Sequence, residues 1–455
     1  VASAQDPTDI QEDHGDEGDE EVQKDALAEG VDVKDMARRR LRALRVALFL
    51  AVWCGTAAAE PTGDERPARS EYRFYAGVRH QGELFTANTL TAGRLALRGV
   101  DALSEAVAPK DSTPIGAAAL RSWGFLLVDL PILSYTLAVP HEMFGHAARH
   151  REFDSRPTVH LDLPLPYSLG ANHYVFHRQT RLLYGGEQSV SVLGGLVAQE
   201  ASQRMLVWST FRTGTVQRGE ALIYSSTSLT HVVQTLVGRD LELASNLARP
   251  LYRGDPIAYR AAARAALVLD LVDPMLLYSV YASAYRWLVR GERTMAAPSL
   301  DRGRARFLAT SRTMPVPWGV EHQLHVLAAW PWAAFDLGIR TGTGARESIG
   351  VELTTFDWRL LQVMRAGGEL AVWAQPLVAS IATLGKPTIS TVFGSGSDIV
   401  REGTTIGGAA RVLLEVDQPV WFAGTRLGWK SAGLWGEREL AEGFDVALTG
   451  GIKLD

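Results

Sequence analysis

The chain has 455 residues, 46% of them apolar and 21% charged, with a net charge of −5. That is enough for two or three ordinary domains or one large one, and it excludes a wholly disordered chain, a collagen-like repeat and a disulfide-stapled miniprotein. Residues 1–35 hold thirteen acids against Lys24 and Lys34, residues 36–59 hold five arginines and no acid, and the remainder is nearly neutral, so no electrostatic feature points to nucleic acid as a partner. The single cysteine, Cys54, excludes internal disulfides, zinc fingers and a conventional cysteine nucleophile.

The first elements are targeting signals. Met36 to Arg45 is a basic stretch, Val46 to Trp53 a short apolar one, and Ala57-Ala58-Ala59 before Glu60 offers small residues for a signal peptidase. Eight apolar residues fall short of the roughly 30 Å of hydrocarbon that an anchor must cross, so cleavage is expected and the mature chain starts near Glu60. Bulky Trp53 ahead of Cys54 argues against a lipoprotein. Met36 reads as the true initiator, which leaves the acidic stretch 1–35 untranslated; the alternative is a real disordered acidic tail followed by an uncleaved anchor. Residues 60–121 form an N-terminal strand and linker region, with a strand over Tyr72–Arg79.

From Ser122 to Arg290, within a region 122–300, the apolar runs are helix-length: Ser122–Val139, Ser189–Trp208, Ala221–Val237 and Ile257–Leu288. Asp129, Glu200, Arg264, Asp270 and Asp273 sit singly inside these runs, where a buried charge must be paired or liganded. The isolated charges and prolines favour interior helices of a large domain over membrane spans. Pairing with Arg264 or Arg286 is the expected fate of Asp270 and Asp273.

From about Val320, within 301–455, the texture changes to strands of eight to twelve residues with period-two alternation. Phe444, Val446, Leu448 and Ile452 alternate with Asp445, Thr449 and Lys453, and Val412, Leu414 and Val416 with Arg411, Glu415 and Asp417. Eight of the twelve tryptophans fall between Trp318 and Trp435. Exported, amphipathic, aromatic-rich strands of this length resemble a bacterial outer-membrane β-barrel. A soluble antiparallel sheet with one wet face gives the same alternation, and the chain ends in Asp455 rather than the aromatic residue common in such barrels. The expected fold class is α+β, a buried helical zincin-like region followed by an antiparallel sheet that closes as a barrel, with the early strand helping to close it.

The chemistry-bearing segment is His141-Glu142-Met143-Phe144-Gly145-His146. Two histidines bracketing a glutamate at the end of an apolar helix is the layout of a zincin site, in which imidazoles ligate zinc and the glutamate takes a proton from the metal-activated water. In the common HExxH spacing the ligands lie about 40° apart around the helix, whereas the five-residue spacing here gives about 140°. A single π-bulge repairs this, and Gly145 tolerates it most easily. This HExxGH form looks like the motif of the dipeptidyl peptidase III family of zinc exopeptidases. The resemblance implies His141 and His146 as zinc ligands, Glu142 as general base, and a glutamate on a later helix as third ligand. Glu200, 54 residues after His146 on a predicted helix, matches that separation, and its alternative partner is Arg204 one turn on.

Other histidines compete for the metal role. His150 follows His146 by one turn, and His173 and His177 are spaced i, i+4. Together these boxes resemble those of membrane di-iron desaturases, but the adjacent His-His pairs of such boxes are missing. Tyr174, Tyr184 and His231 are candidate oxyanion donors. No GxxxxGK[ST] phosphate loop or GxSxG elbow occurs. The expectation is an exported zinc metallopeptidase of the outer membrane or periplasm, acting on a peptide or protein. The alternatives are a non-catalytic outer-membrane barrel protein with structural histidines, or an integral-membrane, site-2-protease-like enzyme with Ser122–Val139 as a span.

Overall fold

A computed structural model describes residues 69–107, 114–167, 173–178, 185–244, 256–344, 347–376 and 404–454, apart from 154, 239, 242, 303, 362 and 437. The expected acidic tail, the expected signal peptide and Tyr184 lie outside the described residues.

The chain is α+β. Strand β1 (Ser70–Gly77) leads into α1 (Gln81–Val107) and the long helix α2 (Pro114–Glu152). A small hairpin, β2 (Arg156–His160) and β3 (Tyr174–Arg178), precedes α3 (Gly185–Thr213). A short strand, β4 (Thr215–Gln217), runs into α4 (Arg218–Val237), whose first turn is fixed by a reciprocal capping box between Gln217 and Glu220. Helix α5 (Pro256–Leu271) is followed by α6 (Pro274–Val289) after a 59° bend. The bend falls where Asp273 caps the Leu276 N–H and Pro274 occupies the first helical position.

Helix α2 contains two π segments, Phe125–Asp129 and Pro140–His146. Each lies against a proline, Pro131 or Pro140. A missing N–H breaks the ordinary i→i−4 ladder, and a local shift to wider hydrogen bonds absorbs the defect. The second segment is the one that the His141–His146 spacing calls for.

After β5 (Thr294–Ala296), which pairs with β4, come β6 (Leu300–Arg302), β7 (Ala305–Val316), β8 (Gly319–Trp330), β9 (Ala333–Gly344) and β10 (Ser348–Leu361). They are followed by β11 (Met364–Pro376), β12 (Thr404–Asp417), β13 (Trp421–Lys430) and β14 (Gly443–Leu454). All but β2–β5 form one antiparallel ten-stranded sheet in the order β1-β14-β13-β12-β11-β10-β9-β8-β7-β6. The expected early strand is thus real and pairs with the last one, Ser70 opposite Leu454. It does not close a barrel: among the described residues β1 and β6 are the two edges of an open sheet.

The sheet is inside-out relative to a soluble fold. Leu448 is 61% exposed while its neighbour Thr449 is 5% exposed, and the same holds along the other strands. Leu324, Ile339, Val351, Val372, Val412 and Leu427 face outward, whereas Gln323, Arg340, Glu352, Arg411, Glu415 and Lys430 are buried on the concave side. Most of these buried charges are paired, Glu71 with Arg212 and Arg365, Glu415 with Arg73 and Arg365, and Glu83 with Arg411 and Arg426, while Lys430 donates to the Ser431 and Gly433 carbonyls. At one end of this concavity an apolar core forms where Leu97, Phe211, Tyr224 and Met275 from the helices meet Leu308, Leu327 and Phe356 from the sheet.

The isolated helical charges find partners, though not always those expected. Asp129 pairs with Arg218. Asp273 accepts from the Tyr224 hydroxyl at 2.7 Å, and Asp270 from the Thr313 hydroxyl, whereas Arg286 pairs with Glu292. Asp270 and Asp273 therefore join helices to β7 instead of pairing with Arg264 or Arg286.

Candidate metal centre

The π segment of α2 does what the spacing requires. His141 Nε2 and His146 Nε2 stand 3.1 Å apart, both rings buried. The third group is Asp240, just beyond the end of α4 at Gly238, with Oδ2 at 3.3 Å from His141 Nε2 and 3.5 Å from His146 Nε2. Two ligands on a tetrahedral zinc ion at about 2.0–2.1 Å stand roughly 3.3 Å apart, and the three separations here bracket that value. Two imidazole nitrogens and a carboxylate oxygen converging at this distance fit one divalent ion. The Asp240 carboxyl is burdened by burial, but the two imidazoles beside it outweigh that and hold it well below the usual carboxylate range.

The supporting contacts come from α3. His146 Nδ1 lies 2.9 Å from the Ser191 carbonyl oxygen, so Nδ1 carries the proton and Nε2 offers its lone pair to the site. Gly145 packs on the α3 backbone so closely that a Cβ there would lie 2.6 Å from the Gly194 carbonyl oxygen. At Gly195 a Cβ would come within 2.4–2.6 Å of three His141 ring atoms. The glycine expected to ease the bulge therefore also sets the helix crossing. Gly195→Ala is expected to displace the His141 ring and cut zinc content well below one per chain. Gly99→Ala, with nothing within 4 Å of the new methyl, leaves zinc content unchanged; equal loss in both variants would remove the crossing from the argument.

Glu142 is buried on the same π turn, close enough to His146 for their charges to interact. Glu200 is not at the site. It is buried on α3 with its carboxylate 3.4 Å from Arg312 Nη1 on β7. Five residues beyond Gly195, it is turned about 140° around the helix from the face that meets α2, so it looks toward the sheet. Arg204 pairs with Glu352 and Asp336 rather than with Glu200.

The remaining candidates fall elsewhere. His231 Nε2 is engaged with the Thr313 carbonyl oxygen at 3.2 Å, which occupies the atom an oxyanion would use. Tyr174 is exposed and stacks on His160. His173 accepts from the Asp162 N–H, and His177 pairs with Pro157 in the small hairpin. A second cluster, His325, Asp336 and Glu352, is also tight enough for a metal. Its carboxylates are already taken by the Arg204 guanidinium and the Trp208 indole N–H, so it is an ion network.

A chamber of about 580 Å³ lies inside the concavity of the sheet, lined by Arg and Glu side chains and by Leu84, Met205 and Trp208. Glu200 borders it; the triad does not. No family model, curated protein or solved structure matches this chain, so the centre stands on its own geometry.

Proposed function

We propose that this chain is an exported, membrane-embedded metallopeptidase that holds zinc with His141, His146 and Asp240 and uses Glu142 as general base on a peptide or protein substrate. The observation that carries the reading is the convergence of both Nε2 atoms and the Asp240 oxygen within 3.5 Å. Zinc held there would act as a Lewis acid toward water and a substrate carbonyl. The Ser191 carbonyl fixes the His146 tautomer. Glu142, adjacent to His141 in the chain, takes a proton onto its carboxylate and returns it to the leaving amine.

The membrane part of the reading rests on the outward face of the sheet. On β12 the exposed apolar side chains run from Ile406 to Val416, about 33 Å along the strand. At the tilt of an outer-membrane strand this spans about 25 Å, the height of a lipid-facing band.

A second reading, a non-catalytic envelope protein with a structural metal, is favoured by the position of the triad outside the large chamber. Glu142→Gln separates the two. The enzyme reading expects one zinc per chain in both proteins and a loss of at least about 100-fold in cleavage of a quenched fluorescent peptide library. Zinc retention with no peptide cleaved by the wild type decides for the structural metal. Recovery in the inner-membrane fraction would favour the site-2-protease-like enzyme.

A further inference from the structure

We infer that the lipid-facing wall is completed by helices instead of strands: α6 and α2 occupy the gap between β7 and β1, and the acyl chains of the bilayer cover their outward faces as they cover the sheet. The inference rests on the membrane reading of the sheet.

The two edges that a barrel would join are both capped by helix side chains. On β1, the Tyr75 N–H donates to Asn88 Oδ1 at 2.7 Å and the Tyr75 carbonyl accepts from Asn88 Nδ2 at 2.8 Å, while the Arg73 carbonyl accepts from the Thr91 hydroxyl. Asn88 and Thr91 belong to α1, so one helix face takes the place of a neighbouring strand. On β7, beyond the short stretch paired with β6, the Ser311 N–H donates to Asp273 Oδ1 and the Thr313 carbonyl accepts from His231 Nε2. The Val316 carbonyl accepts from the Tyr259 hydroxyl. Pro315 has no N–H to offer, as suits an edge strand. With 73 and 75 spoken for on one side and 311, 313 and 316 on the other, the edges have few free groups with which to zip together.

The helices instead make a continuous circuit. Helix α6 touches β7, α2 touches α6, and α1 touches both α2 and β1. Arg121 near the start of α2 donates to the Leu288 and Val289 carbonyls at the end of α6, and Phe125 packs edge-on against Trp287. Outside this seam the exposed side chains of α2 and α6 are largely apolar, with Arg286 near the end of α6 paired to Glu292. Leu277, Val280 and Tyr281 form one exposed stripe on α6, with the buried Met275 and Ala282 on the opposite side, and Val289 is exposed at the end of the helix. Leu126, Leu127 and Val128 are exposed on α2. Helix α2 is long and apolar enough to cross a bilayer, yet only 22% of its apolar window is buried, whereas a core helix of that composition would be mostly covered. Residues 122–140 contain a single charge, Asp129, which points inward to Arg218. They span about 28 Å, and the sixteen residues of α6 about 24 Å, close to the height of the band on the sheet.

The test uses the full chain carrying Cys54→Ser and one new cysteine, Leu448→Cys on the sheet, Leu127→Cys on α2, or Val280→Cys or Leu277→Cys on α6. Each is labelled with an environment-sensitive fluorophore and reconstituted into phosphatidylcholine vesicles with brominated acyl chains. All four labels are expected to lose emission to the brominated lipid to the same extent and to resist aqueous iodide. Quenching by lipid at Leu448 but by iodide alone at the α2 and α6 positions overturns the helical wall and leaves the sheet in the membrane. Quenching by iodide alone at every position removes both, without bearing on the metal centre.

Discussion

Replacing Asp240 by alanine is expected to lower zinc affinity by at least about 100-fold, since loss of an outer-shell partner alone costs 10–100-fold. Glu200→Gln, by contrast, is expected to leave affinity unchanged. The asymmetry follows from where the carboxylates sit: Asp240 Oδ2 is within 3.5 Å of both imidazoles, and Glu200 is bound to Arg312 across the helix. The His141–His146 pair should survive Asp240→Ala, because the Ser191 carbonyl and the α2–α3 crossing position it independently. Competition with a chromophoric chelator measures both variants. The reverse pattern, zinc kept without Asp240 and lost in Glu200→Gln, returns the third ligand to α3.

The largest effect on stability is expected at Arg218. Its guanidinium, 1% exposed, pairs with Asp129 on α2 at 2.6 Å and with Asp101 on α1 at 2.6 Å, donates to the Leu97 carbonyl as a third partner, and lies over the Trp287 ring of α6. One side chain at the start of α4 therefore ties together three other helices. Arg218→Met keeps the volume and strands two carboxylates in the interior, which costs about 3–5 kcal/mol when one partner of a buried pair is removed. Adding Asp129→Leu should recover much of that loss, because replacing a buried pair with apolar groups is far cheaper than breaking it. Thermal unfolding followed by circular dichroism reads both; a single variant as stable as wild type would mean that water reaches Asp129 and Asp101.

The helix that carries the candidate metal pair was more legible in the sequence than the rest of the site. A five-residue spacing cannot bring two histidines onto one ion in a regular helix, so the motif itself demanded the π turn that Pro140–His146 adopts. The candidate third ligand had no comparable signal. Asp240 follows a helix stop at Gly238, 94 residues after His146, and only the folding of α4 against α2 brings it there. Glu200 had a suggestive separation along the chain, but separation does not fix rotation about a helix axis. The sheet divides in the same way. Alternation at Leu448 and Thr449 shows that two faces differ and is silent about which one is turned to the interior, because period two is symmetric under inversion. The exchange of strand pairing for helix side chains at Tyr75 and Thr313 is likewise a tertiary event, which period-two alternation does not announce.

The pairing of Ser70 with Leu454 imposes an order of assembly. Strands β7 to β14 are joined in sequence and each pairs with its predecessor, so they can form by successive short-range steps. The first strand has no sheet to join until the last has been laid down, and the loop closed by that contact spans nearly the whole described chain. Contacts of such separation form late and slowly. Helix α1, which caps β1 through Asn88, must wait with it. The strand that comes first among the described residues is therefore the last to be seated.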